Sequence, residues 1–142
     1  MAVTTIDNLR TKLSTHATTA GAANYLWGWF DEVDTFVRKK TTKYPTLVVQ
    51  PVNWKLNPRT YNEVEIDLKF QVYKDFAQSG SIERSATYDS MITICKAFIT
   101  AINSDANLQI NETNITAQLF DIGNLIDNSL MIAVDTKLVI VC

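Results

Sequence analysis

The stretch from Glu63 to Tyr73 constrains this chain more than any other. Val64, Ile66, Leu68, Phe70 and Val72 alternate without a break with Glu63, Glu65, Asp67, Lys69, Gln71 and Tyr73. A side-chain period of two puts the five apolar residues on one side of an extended strand and the polar set on the other. That is the pattern of an antiparallel sheet with one buried and one wet face. The apolar side needs a cover, which the rest of the chain must supply.

Two segments have the spacing to supply it. After a polar break at Gln78-Ser79-Gly80-Ser81, residues 81–103 predict a long helix, with Ser79 or Ser81 as its cap. Tyr88, Met91, Ile92, Cys95, Phe98, Ile99 and Ile102 make a wide apolar face on it, and residues 103–107 end it. A first helix is predicted over about 5–19, where Ile6, Leu9, Leu13 and Ala17 form a narrower stripe. Thr4 and Asp7 resemble a capping box, and Gly21 is a natural stop. So thin a stripe suits a helix on the surface of a sheet or against a neighbouring molecule.

Further strands are predicted over about 45–50, 62–75, 114–121 and 130–141. Pro51 ends the first of these or pushes it to an edge. In the last, Leu130, Ile132, Val134, Leu138 and Ile140 alternate, with Thr136 as a polar interruption. Met131, Ala133, Val139 and Val141 on its other face imply partial cover on both sides. The aromatics Tyr25, Trp27, Trp29 and Phe30 surround Gly28 and fit a short strand or a helical turn. Residues 31–37 are compatible with loop, strand or helix, and residues 53–62 with a loop or extended hairpin arm. The expectation is a single α+β domain: a mostly antiparallel sheet with an N-terminal helix and one long amphipathic helix packed on it.

Hydrophobic residues make up 46% of the chain and charged residues 20%, an ordinary globular balance. No apolar run approaches the ~20 residues of a membrane helix, and the start lacks the blocks of a secretion signal. A protein made and kept in the cytosol is expected, with Cys95 and Cys142 reduced. The Asn-x-Thr sequons at Asn111 and Asn114 are then chance matches.

Catalytic chemistry has little to work with. The single histidine, His16, reads as a surface histidine of the first helix with no nucleophile placed beside it. Cysteine and histidine lack zinc spacing, and the four glycines form no phosphate-binding fingerprint. No catalytic residue, cofactor or metal is expected. Glu63, Glu65 and Asp67 read as a solvated strand face that resists edge pairing. Asp31, Glu32 and Asp34 could form a metal or sugar site but lack a calcium-loop pattern.

Charge is unevenly spread. Between Thr35 and Asn62 lie six basic residues (Arg38, Lys39, Lys40, Lys43, Lys55 and Arg59) and no acidic one. That leaves seven of the thirteen basic residues to face all fifteen acidic ones elsewhere, a net of −8. Such segregation can steer one copy, or a partner, onto another. The aromatics could stack nucleobases above this basic run. The overall charge of −2 argues instead for a core corner or a subunit interface. Candidate interface residues are therefore Trp27, Trp29, Phe30, Arg38, Lys39, Lys40, Lys43, Trp54, Lys55 and Arg59.

The order of segments resembles a known family. An aromatic Gly-Trp-Phe-Asp stretch (Trp27 to Glu32) leads into a Tyr-Pro strand (Tyr44 to Pro51). The long alternating strand, the polar break and the long helix follow. This layout resembles the small neck and tail-terminator proteins of tailed bacteriophages, over roughly residues 25–142. The resemblance implies a homo-oligomeric ring of six or twelve copies, assembled in the host bacterial cytoplasm and built into the virion. Its partners would be itself and adjacent portal, connector or tail-tube proteins, with DNA only in transit and no membrane. It implies no catalytic residue. A soluble binding or adaptor domain with the same layout is the alternative.

Overall fold

In the computed structural model, described over residues 6–28, 45–55, 63–75, 81–111, 114–121 and 129–141, the alternating strand lies at the middle of a six-stranded sheet. The elements run α1 (Ile6–Thr19), β1 (Asn24–Trp27), β2 (Thr46–Lys55), β3 (Glu63–Asp75), α2 (Ser81–Asn103), β4 (Leu108–Gln109), β5 (Ala117–Asp121) and β6 (Ser129–Val141). The sheet order is β1-β2-β3-β6-β4, with β5 also on β6. All pairs are antiparallel except β1 with β2. The class is α+β, as the alternation and the helical stripes imply.

β3 and β6 pair along their whole length, from Glu63 opposite Val141 to Asp75 opposite Ser129. This register brings the alternating apolar sets of both strands to one face. Ile66, Leu68, Phe70 and Val72 lie there beside Leu130, Ile132, Val134, Leu138 and Ile140, all buried. α2 covers them with Met91, Cys95, Phe98 and Ile102, spaced to share one side of a helix. Phe98 meets Phe70 edge-to-face at a centroid distance of 5.0 Å, a favoured aromatic geometry. α1 adds Leu9, Leu13 and Ala17. Each Leu, Ile, Val, Phe or Met side chain so removed from water contributes about 1.5–3 kcal/mol.

Several local features depart from the sequence pattern. β2 does not stop before Pro51 but runs on to Lys55, so residues 53–55 belong to a strand rather than an arm. The register slips by one residue between Pro51 and Trp54, a β-bulge. β1 last pairs at Trp27 opposite Val49, so Pro51 sits where no described strand needs an outward N–H. The predicted strand over 114–121 begins at Ala117, and β4 is an addition. β4 and β5 line the same margin of β6 in succession. Eight steps separate Gln109 from Ala117, but their partners Val139 and Val134 are five apart. The connection from β4 to β5 is thus three residues longer than the stretch of β6 beside it. Ile110 is buried and Ile115 packs on the core, and the Ile110 N–H donates to Asn103 Oδ1 at 2.7 Å.

Gly21 ends α1 with φ of 101°. The Ala22 N–H reaches the Ala17 carbonyl and the Gly21 N–H that of Thr18, both at 3.1 Å. This is the paired bonding of a Schellman stop, which favours glycine. Ala23 N–H then donates to the Pro45 carbonyl at 2.9 Å, tying the turn to the entry of β2. The capping residue Thr4 lies outside the described residues; Asp7 pairs with Arg10 at 2.8 Å.

Candidate interaction surface

Among the described strands, β5 stands at a margin of the sheet. Its only pairing among the described strands is with β6. Leu119 and Phe120 sit side by side on it, on opposite faces, and are 49% and 40% exposed. An edge strand carries unpaired N–H and C=O groups, and apolar side chains on it invite another chain to pair. β1 forms the opposite margin. Among the described strands, the sheet thus ends in β1 on one side and in β4 and β5 on the other.

The candidate interface residues from the sequence scatter across this frame. Trp27 stands on β1 facing the helix side, half-buried and packed against the core, as does Tyr25. The described part of the aromatic cluster is a core corner. Burial pushes the Tyr25 phenol upward, partly offset by nearby Arg10, and its hydroxyl has no hydrogen-bond partner. Trp54 and Lys55 fall in the post-bulge part of β2, opposite Ile66 and Glu65. Trp29, Phe30, Arg38, Lys39, Lys40, Lys43 and Arg59 lie outside the described residues, as do Asp31, Glu32, Asp34 and Cys142. Cys95 is buried and free, and burial pushes its thiol up to about 12.

On the sheet face away from the helices is a groove of about 320 Å³. It crosses from Gln50 on β2, over Lys69 and Gln71 on β3, to Ala133 and Asp135 on β6. Asn114, Thr116 and Gln118 close its far side. The ladder explains the grouping: Gln50 pairs with Lys69, Lys69 with Asp135, Gln71 with Ala133, and Ala133 with Gln118. Lys69 and Asp135 form an exposed ion pair at 3.9 Å. Gln71, expected on a wet face, is only 8% exposed. Its Nε2 donates to Gln50 Oε1 at 3.2 Å, while its Oε1 has no partner.

His16 overturns its sequence reading. It is not a free surface histidine but a part-buried one, with Nε2 3.0 Å from Asp105 Oδ2. The same carboxylate takes Lys12 Nζ at 2.9 Å on each oxygen and the Asn107 N–H at 3.0 Å on Oδ1. Lys12 and His16 lie one helical turn apart on α1, so one residue after α2 can hold both. Burial alone would raise the Asp105 carboxyl. The Asn107 N–H, Lys12 and His16 together outweigh it and hold the group down at about 2. Sequence reasoning missed this clamp because its members stand up to 95 positions apart; only the i, i+4 spacing of Lys12 and His16 hinted at it.

Among the described residues no cluster of three or more His, Cys, Asp or Glu side chains is placed to hold a metal. No helix among them is long and apolar enough to cross a membrane. No protein-family model matches the chain, and no curated protein matches it either.

Proposed function

We propose that this protein is a structural component of a virus particle: one subunit of a homo-oligomeric ring at the neck or tail terminus of a tailed bacteriophage. The observation that carries the reading is the β5 margin with Leu119 and Phe120 exposed on it. Two unlike margins at opposite sides of one sheet suit head-to-tail contacts, which generate rings when the rotation closes. The basic run between Thr35 and Asn62, against the acidic remainder, adds charge complementarity between neighbours. The ring docks onto adjacent portal, connector or tail-tube proteins and lets DNA pass through its channel. The groove on the outer face favours a second reading, a binding domain that acts as a monomer.

Light scattering across a concentration series tests the ring. A discrete ring-sized mass, alone or on adding a tail or portal component, is expected. Leu119→Asp with Phe120→Ser should leave the far-UV circular dichroism unchanged and abolish that mass. A monomer at all concentrations, indifferent to such components, would falsify the proposal.

A further inference from the structure

The strands at the two margins of the sheet match each other in length and in the placing of their apolar side chains. β5 has five residues and β1 four. Each carries one large apolar side chain on either face. On β5 these are Leu119, on the helix side with Ile132, and Phe120, on the outer face with Met131. On β1 they are Trp27, packed half-buried on the core, and Leu26, half-buried beside Val48 of the outer face. A strand lying along β5 would cover Leu119 and Phe120 together, one on each face.

The backbone of β1 turns a bonding edge outward. Asn24 and Gly28 donate their N–H groups toward β2, to the Pro45 and Val49 carbonyls at 3.3 and 3.2 Å. Alternation points the Tyr25 N–H the other way, and there Asn24 Oδ1 accepts it at 3.2 Å. A side chain occupies the position that a neighbouring strand would fill. Strand direction fits as well. β1, β2 and β6 run one way, and β3 and β5 the other. A second copy turned about an axis roughly along the strands therefore presents its β1 antiparallel to β5, the arrangement with perpendicular ladder bonds.

Charge separates this contact from one between two β5 margins. The stretch from Asn24 to Lys55, which holds β1 and β2, has five basic residues and three acidic ones, a net of +2. The stretch from β4 to the start of β6, Leu108 to Ser129, has Glu112, Asp121 and Asp127 and no basic residue, a net of −3. Two β5 margins would bring −3 against −3, whereas β5 against β1 brings −3 against +2.

We propose that β5 of one subunit pairs antiparallel with β1 of the next, so that the sheet runs on from copy to copy. This contact rests on the ring reading and names the strand that meets the β5 margin. It is head-to-tail: every copy spends one margin on each neighbour, and none is left over once the ring closes. Main-chain hydrogen bonds hold such an added strand, and the flanking side chains make it specific.

Two variants of the intact protein test it, one altered at each margin: Leu119→Asp with Phe120→Ser on β5, and Leu26→Asp on β1. Far-UV circular dichroism checks that each is folded. The like charges keep the two altered margins from pairing with each other. Under the conditions in which the wild type assembles, light scattering should give each variant alone the mass of one subunit. Mixed in equal amounts they should give the mass of two and no more, because one intact β5 and one intact β1 remain to meet. Should Leu26→Asp unfold, Leu26→Glu, whose longer stem keeps more apolar contact, takes its place. Assembly of the β1 variant alone, as a dimer or a ring, overturns the inference. So does a mixture that stays monomeric or grows beyond two subunits, and in these cases the wild-type ring still stands. A wild type that never assembles removes the ring itself, and this contact with it.

Discussion

The two faces of the sheet are built from the same three long strands, yet they follow different rules. On the helix side, the described residues of β3 and β6 are mostly apolar and buried; Val64 is half-buried, and the polar exceptions are Lys74, half-buried at the end of β3, and the buried Thr136. On the other side, burial is graded. Thr46, Val48, Gln71 and Tyr73 are buried, while Lys69, Asp135 and Lys137 lie open to water. Lys69–Asp135 and Lys137–Glu65 pair at 3.9 Å with side chains 41% to 71% exposed, and such pairs contribute about 0–1 kcal/mol. The difference teaches that alternation secures one face of a strand, and leaves the other free to carry recognition.

The helix side should be the less forgiving, and a core truncation sharpens that contrast most. Phe98→Ala removes the ring that meets Phe70 and should cost about 3–5 kcal/mol in urea unfolding. A loss below 1 kcal/mol would mean that α2 is not the main cover of the sheet.

A smaller effect is expected at the clamp that fastens α1 to the end of α2. Asp105→Ala leaves Lys12 and His16 without their shared carboxylate and should cost about 2 kcal/mol. Lys69→Ala on the outer face should change stability by less than about 0.5 kcal/mol. Acid sharpens the comparison. The Asp105 carboxyl sits near 2 in the folded protein, below the ordinary value of 3.8. The unfolded chain therefore binds the proton first, and folding is favoured by the clamp above about pH 4. Its contribution falls away as pH drops toward 2. Wild type and Asp105→Ala should accordingly converge in urea midpoint between those limits; parallel curves down to pH 2 would remove the clamp from the account.

A stabilising change tests the uncharged polar exception on the buried face. Thr136 is 4% exposed and its hydroxyl has no hydrogen-bond partner. Thr136→Val keeps the shape and removes the orphan, so stability should rise by about 1 kcal/mol. A fall would show that the hydroxyl is satisfied in solution, and the two faces would then differ less than their burial implies.

How far the chain could be read in advance follows from the range of each signal. The period-two run around Phe70 and the helical spacing from Met91 to Ile102 are local, and both set the α+β class before any contact is known. Gly21 as a helix stop was equally legible, because the left-handed turn is a property of a few consecutive residues. The candidate site was far less so. The aromatic run around Trp27 is compatible with a core corner or an interface, and Trp27 packs half-buried against the core. The groove and the exposed pair Leu119 and Phe120 were not singled out at all, because what faces outward on an edge strand depends on which strand is the edge.

The amino-acid sequence by itself thus determined the types of the long elements, most of the apolar set that fills the core, and the segregation of charge. The tertiary structure alone decided the parallel pairing of β1 with β2, the shared margin of β6 taken by β4 and β5, and the joining of Lys12 and His16 to Asp105. It also decided that Gln71, polar and on the nominally wet face, is buried beside a groove. The physical reason is one of distance along the chain. Periodicity and turn chemistry act over a few residues, whereas register, margins and shared partners are set by contacts between segments tens of residues apart, which no local pattern encodes.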